Sequence, residues 1–367
     1  MVCFSSTYLI SILFIFLIAF SCDTNEETPL PDPEYEFPEG KIFFDTSPVD
    51  LSGVTFFEPM GLMGVFPQDH GGFHHTEIAL AEPLTPIYAM ADGQIMALGK
   101  SGRDFWVDIK YSTTISTKLG HVGRFEHFIL DKTGPLLEGQ PQYPTIDITK
   151  GQVIAYVSSF SALDMGLHDQ EIQSNFCYPE AFGFELRFAA SIFDYFEDPV
   201  KSELLAKAIR QHEPRGGKVD YDVKGTLSGN WFIPGGVAIS DFSHHFAIGY
   251  DHLFGRRVAI FDGYARFSQN EPNFFFWVKN NGPLPETVDP SHGLVKYEMI
   301  FGRSFNRIDD TTFELQSLEG VDDQATLGVF LFEMLGAESM RAEYFPAKLP
   351  EEVTGFTGSE RTYVRNP

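Results

Sequence analysis

The amino-acid sequence predicts a mainly β protein with two folded regions joined by a short helical connector. Its 367 residues are more than one small domain needs, since domains average roughly 150 residues. Short runs of alternating apolar and polar residues, separated by Gly, Pro and Asp, recur along most of the chain, and a period of two is typical of half-buried strands. We therefore place a first β region at 43–190, a helical connector at 191–216 and an antiparallel β domain at 217–367.

Composition and charge exclude several classes of protein. Hydrophobic residues make up 43% and charged residues 21%, which excludes a disordered chain and a polytopic membrane protein. Acidic residues outnumber basic ones 51 to 26, and a net charge of −25 repels phosphate backbones, so no nucleic-acid partner is expected. Three cysteines are too few for a disulfide-stapled scaffold.

The N-terminal residues resemble a bacterial lipoprotein signal. The apolar run Tyr8–Phe20 is shorter than the roughly 20 residues that span a bilayer, and it suits the hydrophobic part of a signal peptide. Small residues precede Cys22 as in a lipobox, so we predict a lipoprotein signal peptide at 1–21 and lipid attachment at Cys22. The alternatives are an ordinary signal peptide cut nearby and an uncleaved anchor.

Residues 22–42 form an acidic, Pro-rich segment with few aliphatic residues. Such a segment cannot bury enough apolar surface to offset its ordering entropy, so we predict an extended tether. Its start, Cys22–Glu27, resembles the acidic export signals of surface lipoproteins in Bacteroidetes-type bacteria. We therefore expect an extracytoplasmic protein anchored by lipid to the bacterial membrane, and the resemblance implies exposure on the outer membrane.

Four segments of the first β region carry the clearest strand patterns. Thr85–Ile95 predicts two strands joined by a tight Asp-Gly turn. Phe105–Tyr111 and Thr114–His121 alternate as half-buried strands do, and Thr149–Val157 predicts a turn followed by a further strand. No helical period is evident in this region, which indicates a sheet or a sandwich.

The order of these segments resembles the lysostaphin/LytM-type zinc endopeptidases, which cut peptide bonds in bacterial cell walls. Thr85–Ile95 matches the motif T-P-V-Y-A-x-x-D-G-x-V, Leu119–Val122 stands for Y-A-H-L, and Lys150–Ile154 stands for V-x-x-G-Q-x-I-G. Gly166–Ile172 lies where G-x-H-L-H-F-E follows. The resemblance spans roughly residues 65–175 and implies the duplicated-hybrid-motif fold.

The resemblance also implies a zinc site, and this sequence departs from it. The family binds zinc through the His and Asp of H-x-x-x-D and the second His of H-x-H. Here Gln170, a poor zinc ligand, replaces that second His, and Glu77 stands at the Asp position. His121 and His168 match the family's catalytic histidines. We therefore predict His121 and His168 as catalytic residues beside a degenerate zinc site.

A rearranged metal site is the alternative to loss of the metal. A catalytic zinc needs about three protein ligands and an open position for water. The candidate ligands are His70, His74, His75, Glu77 and Asp164, with Asp169 as a further carboxylate. Without a metal, the His-rich segment is a polar loop. The cofactor expected is therefore zinc or none.

The segment Ala162–Gly166 favours loss of the metal. It resembles peptidase-fold envelope proteins of unassigned activity, in which L-D-F-G occupies the end of the H-x-H region.

The C-terminal half predicts one helix and a series of aromatic strands. The linking helix is placed near 199–213, with Val200, Leu204 and Leu205 on one face. The strands suit an antiparallel sandwich or a small barrel. They are Phe246–Tyr250, Arg257–Phe261, Phe274–Val278, Leu294–Phe301, Leu327–Leu335 and Met340–Phe345.

Three functions remain open at this level. The first is a binding or regulatory module at the cell surface, with a cell-wall peptide or an envelope protein as partner and the membrane contacted through the lipid anchor. The second is an active zinc metalloendopeptidase that cleaves cell-wall peptides. The third is binding of an apolar ligand by the C-terminal β domain, for which the 37 phenylalanines would supply the lining.

Overall fold

The structure is a computed structural model, and it describes residues 35–62, 70–75, 85–158, 162–235, 242–268, 274–302, 305–307, 313–315 and 317–367. The side chains of residues 70–75 are not described, and the predictions at Cys22 and Glu77 lie outside the described residues. Residues 37–367 cluster as one unit. No helix in the described ranges combines the length and apolarity needed to cross a membrane.

The first half of the described chain folds into a curled sheet of ten strands. The strands are β1 (Val54–Glu58), β2 (His70–His75), β3 (Pro86–Tyr88), β4 (Gly93–Ser101), β5 (Asp104–Lys110), β6 (Ile115–Phe125), β7 (Ile146–Ile148), β8 (Val153–Val157), β9 (Ala162–Asp169) and β10 (Ala189–Ala190). Seven of them lie side by side in the order β1, β2, β9, β6, β5, β4 and β7. In addition, β8 pairs with β3 and β6, and β10 pairs with β9.

The two faces of this sheet differ in polarity because side chains alternate along each strand. On β9, Leu163, Met165 and Leu167 are buried in the main core of the sheet. Asp164 and His168 therefore occupy positions on the other face. Each fully buried aliphatic side chain stabilises the fold by about 1.5–3 kcal/mol, which fixes the register of the strand.

The strands predicted at Thr85–Ile95 are present, but they do not form a hairpin with each other. Strand β3 pairs with β8, and β4 pairs with β5 and β7. The Asp92 carboxylate accepts a hydrogen bond from the Lys150 backbone N–H at 2.8 Å, which ties the turn to a distant loop. Burial of Ile87 opposite Ala155 favours this long-range partner over the local one.

Two helices in the described chain differ from the sequence prediction. Helix α1 (His127–Thr133) lies in a region for which no helix was predicted, and it ends at Gly134, whose φ of +69° suits glycine. Helix α3 (Val200–Lys207) is the predicted connector helix, and it ends early. Ala208 turns to extended backbone and bridges Phe57, so pairing with β1 replaces the next helical turn.

The second half of the described chain forms a closed antiparallel barrel of eight strands, so the sequence's choice between sandwich and barrel is resolved. Six of them match the six predicted runs to within one or two residues. The barrel strands are β11 (Gly229–Phe232), β12 (His245–Tyr250), β13 (Val258–Asp262), β14 (Phe275–Val278), β15 (Leu294–Phe301), β18 (Gly328–Gly336), β19 (Ser339–Pro346) and β20 (Arg361–Val364). Strands β16 (Phe305–Arg307) and β17 (Phe313–Leu315) pair only with each other, and the short helices are α2 (Phe184–Arg187) and α4 (Gly263–Ser268).

Aromatic side chains fill the barrel. Phe246 and Phe276 both meet Phe330 edge to face, with ring centroids 5.6 and 5.7 Å apart. Phe332 stacks on Phe330 at 5.5 Å, and Tyr363 packs on Phe246 at 5.0 Å. Much of the aromatic content of the sequence is therefore core packing, as expected when large apolar side chains are buried.

The barrel closes where its first and last strands meet. Phe232 of β11 pairs with Val364 of β20. The next residue, Arg365, is buried and donates hydrogen bonds to the backbone carbonyls of Asn230 at 2.8 Å and Thr226 at 2.9 Å. Its guanidinium also lies 3.7 Å from the centre of a tryptophan ring on β11. These bonds fix the end of β20 against the start of β11.

Candidate functional site

His121 is the centre of a polar cluster that spans three neighbouring strands. Its Nδ1 lies 2.6 Å from Oδ2 of Asp104 on β5, and its Nε2 lies 3.2 Å from Oδ2 of Asp164 on β9. A neutral imidazole donates from one nitrogen, whereas an imidazolium donates from both. The arrangement therefore places one ring nitrogen of His121 against each of two carboxylates.

The backbone at His121 explains why the side chain projects from this point. Strand β6 pairs with β9 through Gly120 and with β8 from Val122 onward, so His121 lies where β6 changes partner. Its φ is +55°, a left-handed conformation that is uncommon outside glycine. Such a conformation costs roughly 1–3 kcal/mol and is found preferentially at functional sites. The change of partner bends the strand and holds the imidazole between the two carboxylates.

The register of β2 brings two further predicted residues to the same face. Gly72 lies opposite Asp164, with His70 opposite Gly166 and His74 opposite Ala162. Directly paired residues share a face of an antiparallel sheet, and positions two apart along a strand do so as well. His70 and His74 therefore occupy positions on the face that carries Asp164, one on each side of its partner.

The remaining predicted residues occupy other places. His75 lies next to His74 along β2, and so occupies a position on the opposite face. His168 is opposite Ser116, while Asp164 is opposite Gly120, next to His121. His121 lies five positions after Ser116 on β6, which corresponds to roughly 17 Å at about 3.4 Å per residue. The structure therefore does not bring His121 and His168 together.

His168 lies beside an aromatic side chain and a small cleft. The His168 ring is buried and meets Phe184 edge to face, with centroids 5.7 Å apart. A cleft of about 230 Å³ borders this pair. Gln170, at the position where the resemblance calls for a ligand, is exposed in the turn that follows β9, and its N–H donates to the carbonyl of Thr114 at 3.1 Å.

Asp169 is a structural carboxylate in this fold. It is buried, and its Oδ2 accepts a hydrogen bond from the Tyr195 hydroxyl at 2.5 Å. Burial, together with the Asp169 carboxylate, raises the pKa of that hydroxyl well above its usual range. The Oδ1 atom accepts from the backbone N–H of Glu171 at 2.9 Å. Asp169 is thereby committed to internal contacts.

The donor set on the shared face fits zinc in chemical type. Two imidazoles and one carboxylate are borderline-soft and hard donors that zinc accepts, and three protein ligands leave an open position. Asp164 with either His70 or His74 would supply part of such a set, because the two histidines stand four residues, or roughly 14 Å, apart along β2 and cannot both reach one ion. Within the ranges whose side chains are described, no three His, Cys, Asp or Glu residues are arranged to hold a metal. Zinc is therefore a possible cofactor whose ligands would come from two strands.

Sequence reasoning missed two features of this site. The spacing His-x-x-x-His at His70 and His74 indicates one face of a strand, because four is an even number of residues, and this signal was available in the sequence. The contact of Asp104 with His121 had no local signal, since the two residues meet only through pairing of β5 with β6.

Comparison with known proteins gives weak matches only. No family model matches the chain, and no curated protein matches it. A structure of Csd3 from Helicobacter pylori is 19% identical over 35% of this chain and 32% of that chain, with a TM-score of 0.24. A zinc-containing peptidase from Vibrio cholerae is 18% identical over 35% of this chain and 37% of that chain, with a TM-score of 0.23.

A third match covers most of a smaller protein. A mutant of the catalytic domain of the prophage-encoded M23 protein EnpA from Enterococcus faecalis is 17% identical over 38% of this chain and 85% of that chain, with a TM-score of 0.20. The chain spans only about a third of the Csd3 and Vibrio cholerae structures.

Proposed function

We propose that this protein is a peptidase-like module of the bacterial envelope that binds zinc and hydrolyses peptides of the cell-wall type. The observation that carries the proposal is the register of β2 against β9, which puts His70, His74 and Asp164 on one face of the sheet. His121 stands beside them on β6, with its Nε2 3.2 Å from Asp164. The motif order that resembles zinc endopeptidases supports the choice of reaction.

The chain's own residues would divide the chemistry as follows. Asp164 and one of His70 and His74 would hold the ion, which supplies a polarised water of lowered pKa when bound. Asp104, at 2.6 Å from Nδ1, fixes the ring orientation of His121 and favours the tautomer that carries a proton on Nδ1. The Nε2 atom of His121 then accepts or returns a proton as a general base and acid.

A second candidate function is binding without catalysis, in which the zinc site is degenerate. Gln170 supports it, because the residue that stands for a ligand in the resemblance is an amide exposed in a turn. The contacts of His121 with Asp104 and Asp164 also support it, because both nitrogens of the imidazole then have partners within the protein. Such a module would bind a cell-wall peptide or an envelope protein.

The envelope location rests on the N-terminal sequence. A lipid on Cys22 followed by an acidic tether would place the folded part outside the cytoplasm, on the outer membrane if the export resemblance holds. Metabolic labelling with a fatty acid tests this directly. The wild-type chain is expected to incorporate label, and Cys22→Ala is expected to abolish it; equal labelling of both would exclude the anchor.

Metal content and hydrolysis of purified cell-wall peptides decide between the two functions. The wild-type protein is expected to carry about one zinc per chain. The double variant His70→Ala/His74→Ala and the single variant Asp164→Asn are each expected to lose both zinc and cleavage. Gln170→Ala is the matched control, because this exposed residue lies on the same strand's extension and is not a proposed ligand. A protein without zinc that still binds the peptides would establish the binding module instead.

A further inference from the structure

The barrel has a cavity of about 430 Å³ at the mouth where β13 runs into α4. Its apolar lining includes the half-buried Leu327 and Tyr344. The Tyr344 ring packs on the buried rings of Phe276 and Phe330, with centroids 5.2 and 4.8 Å apart. Small-molecule sites have volumes of about 300–1,000 Å³, are mostly apolar and occur in barrel mouths. The size and the lining are therefore those of a ligand site.

Among the described residues that line this cavity, Arg361 is the only cation. Its guanidinium lies 3.8 Å from the centre of the Tyr264 ring, and stacking of this kind holds the plane of the group while leaving its edges able to donate. The side chain is 33% exposed, and the Asp262 Oδ2 lies 3.9 Å from its Nη1, beyond hydrogen-bond distance. Its other described polar neighbour is the buried hydroxyl of Tyr363.

The two acidic residues of the cavity are already committed to local contacts. Asp262 accepts a hydrogen bond from the Ala265 N–H at 3.1 Å and so caps α4. Burial raises the pKa of this carboxyl above its usual value, with Arg361 acting against the shift. Glu343 accepts from the backbone N–H of Thr357 at 2.9 Å and from its hydroxyl. Asp262 is not within hydrogen-bond distance of Arg361, and Arg361 is the positively charged donor among the described residues of the cavity lining.

We propose that this cavity binds a small amphipathic carboxylate, whose anionic head meets Arg361 and whose apolar body lies against Leu327 and Tyr344. A guanidinium and a carboxylate form two parallel hydrogen bonds, which gives the site its preference for this head group. The two half-buried side chains supply the affinity for the body, because binding removes their remaining apolar surface from water. This site is separate from the cluster around His121 and does not depend on the proposed hydrolysis.

Three probes of equal chain length test the charge preference: decanoate, decanol and decylamine. Calorimetric titration of the full chain is expected to show decanoate binding about tenfold more tightly than decanol, and decylamine more weakly than either. Arg361→Gln is expected to reduce decanoate affinity to that of decanol and to leave decanol unchanged. Arg361→Lys keeps the charge and loses the paired donors, so its affinity for decanoate is expected to lie between those of the wild type and Arg361→Gln.

Arg341→Gln is the control, because Arg341 on β19 is bound to Glu333 at 2.6 Å and does not line the cavity. Ala342→Phe, which projects into the cavity, is expected to weaken both decanoate and decanol. Circular dichroism checks that each variant is folded. Equal affinity for decanoate and decanol, tighter binding of decylamine, or no decanoate binding by folded wild-type protein would each overturn the proposal.

Discussion

Glu58 on β1 of the sheet and His252, just after β12 of the barrel, meet at 2.8 Å between Oε1 and Nε2. The histidine side chain is 1% exposed and that of Glu58 is 19% exposed, so the contact is largely buried. Beside it, the buried Arg210 donates to the backbone carbonyls of Asp251 at 3.2 Å and His252 at 2.7 Å. The sheet and the barrel are thereby joined through polar contacts between largely buried side chains.

Removal of His252 is expected to destabilise the protein. His252→Ala leaves the Glu58 carboxylate without its buried partner, and losing one member of a buried polar pair costs about 2–3 kcal/mol. Urea unfolding measures the change in the free energy of unfolding. His292→Ala is the control, since His292 pairs with Asp289 at an exposed site and should change stability by about 0.5 kcal/mol or less. Equal effects of the two substitutions would contradict this account.

A methyl group at position 255 is expected to disturb the same junction. A Cβ on Gly255 would lie 2.2 Å from a terminal nitrogen of Arg210, which cannot retreat without giving up its carbonyl partners. Gly255→Ala is therefore expected to cost about 1–3 kcal/mol, the range for overpacking a close contact. Gly183→Ala serves as the control because nothing lies within 4 Å of its Cβ position. Thermal unfolding of both variants gives the comparison.

Asp104→Asn separates orientation of His121 from metal binding. Loss of the carboxylate at Nδ1 is expected to lower peptide hydrolysis about 10–100-fold, the usual effect of removing a residue that orients a catalytic group, while zinc content stays unchanged. Asp108→Asn, four residues along the same strand, is the matched control. A similar loss in both variants, or loss of zinc in Asp104→Asn, would show that Asp104 does not act through His121.

His245 is expected to make the folded state sensitive to acid. Burial lowers the pKa of His245 from 6.5 to about 3, and its Nε2 lies 2.8 Å from the amide oxygen of Asn230. Between these two values the unfolded chain binds the proton and the folded chain does not. The free energy of unfolding therefore falls as the pH is lowered through this range, by up to about 1.4 kcal/mol per pH unit.

His245→Gln removes the titrating group and keeps a donor toward Asn230, so a shallower pH dependence is expected. Urea unfolding at several values between about pH 4.5 and 7 measures the two slopes. His292→Gln, at an exposed site, should leave the slope close to that of the wild type. Parallel slopes for wild type and His245→Gln would show that another group sets the acid sensitivity.

The barrel strands were predictable because their signal is local. Alternation of buried and exposed residues along Leu294–Phe301 is carried by the residues themselves, and that strand was located at its observed bounds. The pairing of strands depends instead on residues that are distant in the sequence. Ile87 is buried against β8, about seventy residues away, and no local pattern around Thr85–Ile95 reveals it.

The candidate site was predictable in part for the same reason. His121 was identified from motif order and Asp164 as a candidate ligand of a rearranged metal site, whereas their contact depends on β6 pairing with β9. The pairing of β2 with β9, which decides the positions of His70 and His74, crosses about ninety residues of chain. The register between distant strands is set by total burial in the core. Sequence patterns therefore identify the candidate site residues but do not give their positions relative to one another.

Closure of the barrel has a consequence for biosynthesis. Phe232 pairs with Val364, so the two ends of the barrel meet only after more than 130 residues of intervening chain have emerged. Until then β11 and β19 each present an unpaired edge of backbone N–H and C=O groups, the kind of edge that joins other chains. Folding of this half is therefore slow and dominated by distant contacts. A nascent or truncated chain that ends before Arg361 would be a substrate for chaperones and proteases rather than a partly working protein.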